Sequence, residues 1–220
     1  MNLSIGLDIK IIDSENAYVC GIGSCTDEHL VIPCSYNGVP VVGIAEKAFC
    51  RNIKIKSVTL PCSVIYIEDQ AFTWCRSLEK IQLSSIVKIG DRAFMGCDML
   101  SDIMLGDFIQ SIGEKAFAYC PSVKNIDLSD STLTVGASAF EGCRSLVEIS
   151  LSNRIKVIES GTFYACEKLQ YVKVPNDLAY IDDLAFAYCV SLNDFCLPSQ
   201  AIVNSNAFFE CGGRLNNKVS

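Results

Sequence analysis

Thirteen cysteines and a single histidine are the residues of this 220-residue chain with the most chemistry in them. Thiols at that density suggest a disulfide framework, a metal site or a nucleophile. Their spacing argues against all three. Cys75, Cys97, Cys120, Cys143, Cys166, Cys189 and Cys211 recur at intervals of 22 or 23 residues, each three residues after a phenylalanine. Metal ligation favours close C-x-x-C pairs, and the chain has none. Seven is odd, and thiols stacked in register lie side by side without the torsion a disulfide requires. They read as buried small hydrophobes that can donate weakly to a nearby carbonyl. Cys20, Cys25, Cys34, Cys50, Cys62 and Cys196 fall off the pattern, and Cys20 with Cys25 is the pair marked for possible oxidation. His29 alone cannot build a histidine-based metal site. No G-x-S-x-G or H-E-x-x-H motif is present, and Gly21-Ile22-Gly23 lacks the third glycine of a nucleotide fingerprint. The expectation is no catalytic residue, no metal and no cofactor.

The phenylalanines that index those thiols are Phe49, Phe72, Phe94, Phe117, Phe140, Phe163, Phe186 and Phe208, at intervals of 23, 22, 23, 23, 23, 23 and 22 residues. A period of 20–29 residues belongs to a leucine-rich-repeat kind of solenoid, in which each unit leans on its neighbours. Five residues before each Phe stands an aliphatic, from Ile44 to Val203. Six, nine and eleven residues after it stand others, as in Leu78, Ile81 and Leu83. The last two are two apart, which is strand periodicity with both side chains on one face. Pro61, Ser84, Gly106, Ser129, Ser152, Pro175 and Pro198 then end the strand. One such coil cannot bury its own apolar stripe, so stacking must supply the core.

No Gly/Ser/Pro-rich linker or low-complexity tract interrupts the repeats, so residues 1–220 read as one domain: a cap over 1–30, repeats over 31–211 and a short tail over 212–220. Two alternating stretches, Asp8–Ile12 and Ala17–Cys20, predict a hairpin over the open edge of the first coil. The few residues after Phe208 form a thin cap, which leaves association of the C-terminal edge, and so a homo-oligomer, as an alternative.

The formal charge is −7 and the pI about 4.7. Scattered basic residues make nucleic acid a poor partner. No apolar run reaches the roughly 18–20 residues that span a bilayer. The opening Met1–Lys10 does not read as a signal peptide, and many free thiols favour a reducing compartment. The expected address is cytoplasmic, with the cell surface as the alternative if an export leader has been removed.

The frame I-x-x-x-A-F-x-x-C-x-x-L-x-x-I-x-L-P, seen from Ile67 to Leu83, resembles the BspA-type (Treponema pallidum-type) leucine-rich repeat. Leu30-Val31-Ile32-Pro33 and Tyr36-Asn37-Gly38-Val39-Pro40-Val41 are similar to the family's lead-in. Asn52 at the first cysteine position and Thr162 before Phe163 depart from it. The resemblance implies a right-handed stack of about eight coils with a parallel concave sheet, and a scaffold for protein partners without enzymatic activity. The concave columns then carry Ser57, Lys80, Asp102, Asn125, Glu148, Tyr171 and Asp194, and Thr59, Gln82, Met104, Asp127, Ser150, Lys173 and Cys196. Asp102, Asp127 and Glu148 make the centre acidic, which fits a partner bearing basic and apolar groups, with Met104 and Tyr171 as anchors. A rival interface lies two residues after the phenylalanines, at Trp74, Tyr119 and Tyr188. The expected function is an intracellular adaptor, with surface adhesion to host or extracellular-matrix protein and self-assembly as alternatives.

Overall fold

The computed structural model describes residues 2–193, 195–212 and 215–216. The chain opens with two antiparallel strands, β1 (Asp8–Ile11) and β2 (Ala17–Gly21). Asp13 closes their turn: its carboxylate accepts from the Glu15 amide and from the Asn16 side chain. β3 (His29–Val31) follows, and then a tight hairpin of β4 (Ser35–Tyr36) and β5 (Val39–Ile44) turns through Asn37 and Gly38, both at positive φ. β2 pairs in parallel with β5, so the first hairpin covers the edge of the coil stack as expected.

From there every coil repeats one path with three sides. The first side is the I-x-L strand: β6 (Ser57–Thr59), β8 (Lys80–Leu83), β10 (Asp102–Leu105), β12 (Asn125–Asp127), β14 (Glu148–Ser150), β16 (Tyr171–Lys173), β18 (Phe195–Cys196) and β20 (Leu215–Asn216). The second is a two-residue strand ending at the aliphatic five before Phe: β7 (Tyr66–Ile67), β9 (Lys88–Ile89), β11 (Ser111–Ile112), β13 (Thr134–Val135), β15 (Val157–Ile158), β17 (Tyr180–Ile181) and β19 (Ile202–Val203). Each side forms parallel, in-register pairs from coil to coil, such as Ile81 with Ile103 and Ile67 with Ile89. The second parallel sheet was not anticipated, because two residues are too few to show period-two alternation. β3 pairs in parallel with β6, so the longer-stranded sheet reaches back to His29. At the other end β20 pairs with β18, and the rest of the 212–220 tail, apart from Gly212, lies outside the described residues.

The third side is the A-F segment. From Phe49 to Phe186, residues two before and two after the phenylalanine take positive φ, as at Gln70 and Trp74 or Lys115 and Tyr119. This geometry sends alternate amides in two directions. The Phe72 amide donates to the Ala93 carbonyl and the Trp74 amide to the Met95 carbonyl, both on the next coil, while the Cys75 amide closes a turn onto the Phe72 carbonyl. These backbone groups are thereby paired without strand structure.

Inside the three sides the phenylalanines stack with centroids 5.1–5.7 Å apart and ring planes within 20° of parallel. That spacing is one coil pitch and falls within the range of offset aromatic stacking. The cysteines run beside them. Cys75 Sγ donates to the Phe49 carbonyl at 3.0 Å, and Cys97, Cys120, Cys143, Cys166 and Cys189 repeat the contact at 3.0–3.2 Å. A buried carbonyl has two lone pairs: one takes the amide of the turn and the other takes the thiol of the next coil. Asn52, at the first cysteine position, uses its side-chain oxygen to accept from the Lys54 and Ile55 amides.

Candidate protein-binding surface

The longer-stranded sheet turns alternate side chains to the core and to solvent. In β8 the exposed Lys80 and Gln82 alternate with the buried Ile81 and Leu83. In β12 and β14, Ile126 and Ile149 are buried while Asn125, Asp127 and Glu148 are exposed and Ser150 is half-buried. β16 exposes Tyr171 and Lys173. In-register pairing assembles these residues into rows: Asn125, Glu148 and Tyr171 in one, Asp127, Ser150 and Lys173 in the other. On the N-terminal side Lys80 pairs with Asp102 by backbone register, and Gln82 with Met104. Among the described residues no ladder links β10 to β12 or β16 to β18, so the face falls into three paired groups of strands. Asp194 lies outside the described residues, and for Asp102 only the backbone is described.

Two observations make this face a receptive one. Met104 and Tyr171 are 58% and 56% exposed, large apolar groups standing free on a sheet. Among the described residues, none of the ion pairs includes Lys80, Asp127, Glu148 or Lys173. The ion pairs sit elsewhere, as in Arg92 with Glu114 and Arg144 with Glu167. Charges on the face are therefore available to a partner.

The face also extends further than the repeat frame indicates. His29 and Val31 prolong its two rows by one strand, and His29 Nδ1 lies 2.8 Å from Ser57 Oγ. Together with Thr59, Lys80 and Gln82 they line an open depression at the N-terminal end. The sequence signal was Leu30-x-Ile32-Pro33, which matches Val58-x-Leu60-Pro61.

The aromatic residues of the A-F side play another part. Trp74 is half-buried, and Gly96 of the next coil, at φ +73°, leaves it room: a Cβ there would come within 2.2 Å of the indole. Arg76 lies over the ring at 5.3 Å. Tyr119 packs over Gly142 in the same manner and its hydroxyl bonds the Glu141 carboxylate. Tyr188, 38% exposed, contacts Tyr164 and Phe209 edge-on. Trp74 and Tyr119 thus pack against glycines of the next coil while staying partly exposed.

Comparison with known proteins places this geometry. The family model described as the BspA type leucine rich repeat region, in six copies, matches residues 42–133 and 87–213. The chain belongs to that family. It is similar to the T. pallidum leucine rich repeat protein, at 27% identity over 85% of this chain and 88% of that one, with a TM-score of 0.79. A leucine-rich repeat protein from Eubacterium ventriosum shares the fold at 18% identity over 92% of this chain and 48% of that one, TM-score 0.61. A leucine rich cell surface protein from Faecalibacterium prausnitzii matches at 16% identity over 96% and 92%, TM-score 0.41. Curated proteins gave no match. BspA-type repeats are non-catalytic scaffolds, and the parallel sheet of this member is the expected protein-binding surface.

The cytoplasmic expectation is corrected: neither the family match nor the similar T. pallidum protein carries it. The physical reason it failed is legible in the thiols. Burial raises the Cys75 thiol to about 12 and pushes Cys97, Cys143, Cys166 and Cys189 up as well. Buried, protonated thiols are inert to oxidation, so their number carries no information about the compartment.

Proposed function

We propose that this chain is a cell-surface adhesion domain, a single folded unit that binds a protein of the host or extracellular matrix on its longer-stranded sheet. The observation that carries the reading is the pair of rows Asn125, Glu148, Tyr171 and Asp127, Ser150, Lys173, set in register with charges that no ion pair among the described residues engages. Lys80, Gln82, Asp102 and Met104 continue the site toward the N-terminus, and Asp194 holds the same position in the sequence frame. Tyr171 and Met104 supply the apolar anchors, and Asp127 and Glu148 select a basic partner surface. The half-exposed Trp74, Tyr119 and Tyr188 would form a secondary contact on the A-F side.

The test is binding of the purified chain to immobilised extracellular-matrix proteins, wild type beside Asp127→Lys/Glu148→Lys. The double variant is expected to lose at least tenfold in affinity while a Trp74→Ala variant keeps most of it. Undiminished binding by the double variant would sink the sheet as the site. Labelling of intact producing cells with a membrane-impermeant amine reagent checks the address, and an unlabelled chain would refute it.

A further inference from the structure

Six of the thirteen cysteines stand outside the ladder, and two of them hold matching positions in neighbouring coils. β3 and β6 pair Leu30 with Val58 and Val31 with Thr59, and the Ile32 amide continues the ladder onto the Thr59 carbonyl. Extended two residues further, the same register would set Pro33 beside Pro61 and Cys34 beside Cys62, the two segments reading Pro-Cys-Ser in both coils. The coils stay in contact there, since Ser63 Oγ donates to the Cys34 carbonyl at 3.2 Å. Both thiols are exposed. Cys196, also exposed, lies in β18 at the other end of the solenoid.

We infer that Cys34 and Cys62 form a redox-modifiable dithiol that closes to a disulfide between the N-terminal unit and the first coil. Register neighbours in a parallel sheet lie about 5 Å apart, inside the roughly 4.4–6.8 Å Cα window for the bond. The buried ladder meets that distance too, but its side chains are held parallel in the packed core. Cys34 sits in a bend and Cys62 in a turn, both beyond their strands and in solvent, so their χ1 angles can rotate to the torsion the bond requires. Cys20 and Cys25 are less suited: Cys25 is buried and burial raises the Cys20 thiol.

The oxidant is a small-molecule disulfide such as oxidised glutathione. One thiolate attacks a sulfur of that disulfide and expels one small thiolate, leaving a mixed disulfide on the protein. The second cysteine thiolate attacks the protein-side sulfur and expels the other small thiolate. Two protein thiols lose their hydrogens and two electrons pass to the reagent, which leaves as two small thiols. The bond would tie the strand that carries His29 to the coil that carries Ser57 and Thr59, and so brace the N-terminal end of the binding face.

The experiment equilibrates the full chain in glutathione buffers of graded ratio, quenches with an alkylating reagent and maps peptides without reduction. The expected result is one cross-linked peptide pair containing Cys34 and Cys62, with the protein two hydrogens lighter. Cys34→Ser and Cys62→Ser should each lose that species and instead retain glutathione as a mixed disulfide on the remaining thiol. Cys196→Ser, the control, should leave it unchanged. Independent alkylation or glutathionylation of Cys34 and Cys62 in oxidising buffer would overturn the proposal, as would oxidation to a Cys20–Cys25 bond in their place.

Discussion

Phe117 and Cys143 show how one residue serves two coils. The Phe117 ring stacks on Phe94 and Phe140, and its carbonyl accepts the Cys143 thiol at 3.2 Å. Replacing Phe117 by alanine removes the ring from both stacks, and a cost of about 3–5 kcal/mol is expected in a urea unfolding curve. The buried thiols make a second prediction at this scale. Their folded pKa values lie above the unfolded value, so their contribution is fully present below about pH 8.5 and declines as pH rises toward the folded values. Each thiol that ionises only on unfolding should remove roughly 1 kcal/mol per pH unit in that window. The slope of the unfolding midpoint between pH 8.5 and 11 (about the range between the unfolded and raised values) should flatten in Cys143→Ala/Cys166→Ala. An unchanged slope would show that these thiols ionise in the folded state. The phenylalanine and cysteine columns were legible because identical side chains recurred at one period. The partner of each thiol was not, because a carbonyl one coil away has no sequence mark.

The coil as an element depends on how closely backbones approach. Gly106, at the turn after β10, sits where an added Cβ would fall 2.1 Å from the Ser84 carbonyl oxygen of the preceding coil. That contact is with backbone and cannot rotate away. Gly106→Ala is therefore expected to cost about 1–3 kcal/mol as an overpacking defect, measured as a drop in the unfolding midpoint. A comparable cost is not expected at Ser84, which carries its side chain to solvent at the equivalent place. Hydrogen exchange should show the loss concentrated in the coils joined by β8 and β10, since each coil touches only its neighbours. The turn residues were readable as strand stops. Which of them lie against the previous coil was not, because that depends on the stacking distance rather than on local preference.

At the scale of the whole molecule, ten exposed side chains of the described residues, from seven strands, share one face only because the coils stack in register. A partner chosen by Asp127 and Glu148 should bind less tightly as salt rises, since exposed charges are screened over about 8 Å at physiological ionic strength. Titrating sodium chloride against wild type and Asp127→Lys/Glu148→Lys should give a steeper loss in wild type. Equal slopes would place the contact elsewhere on the solenoid.

Period and residue type were enough to determine the solenoid, the strand face of Lys80 to Lys173 and the inward columns, because those follow from burying a stripe that recurs every coil. Tertiary structure decided what pairs across coils: the second sheet of two-residue strands, the seat of Trp74 over Gly96, the thiol-to-carbonyl ladder, and the contact of Ser63 with the Cys34 carbonyl. Each of these rests on an approach of about 5 Å between residues more than twenty positions apart. A single coil's sequence contains both partners of none of them.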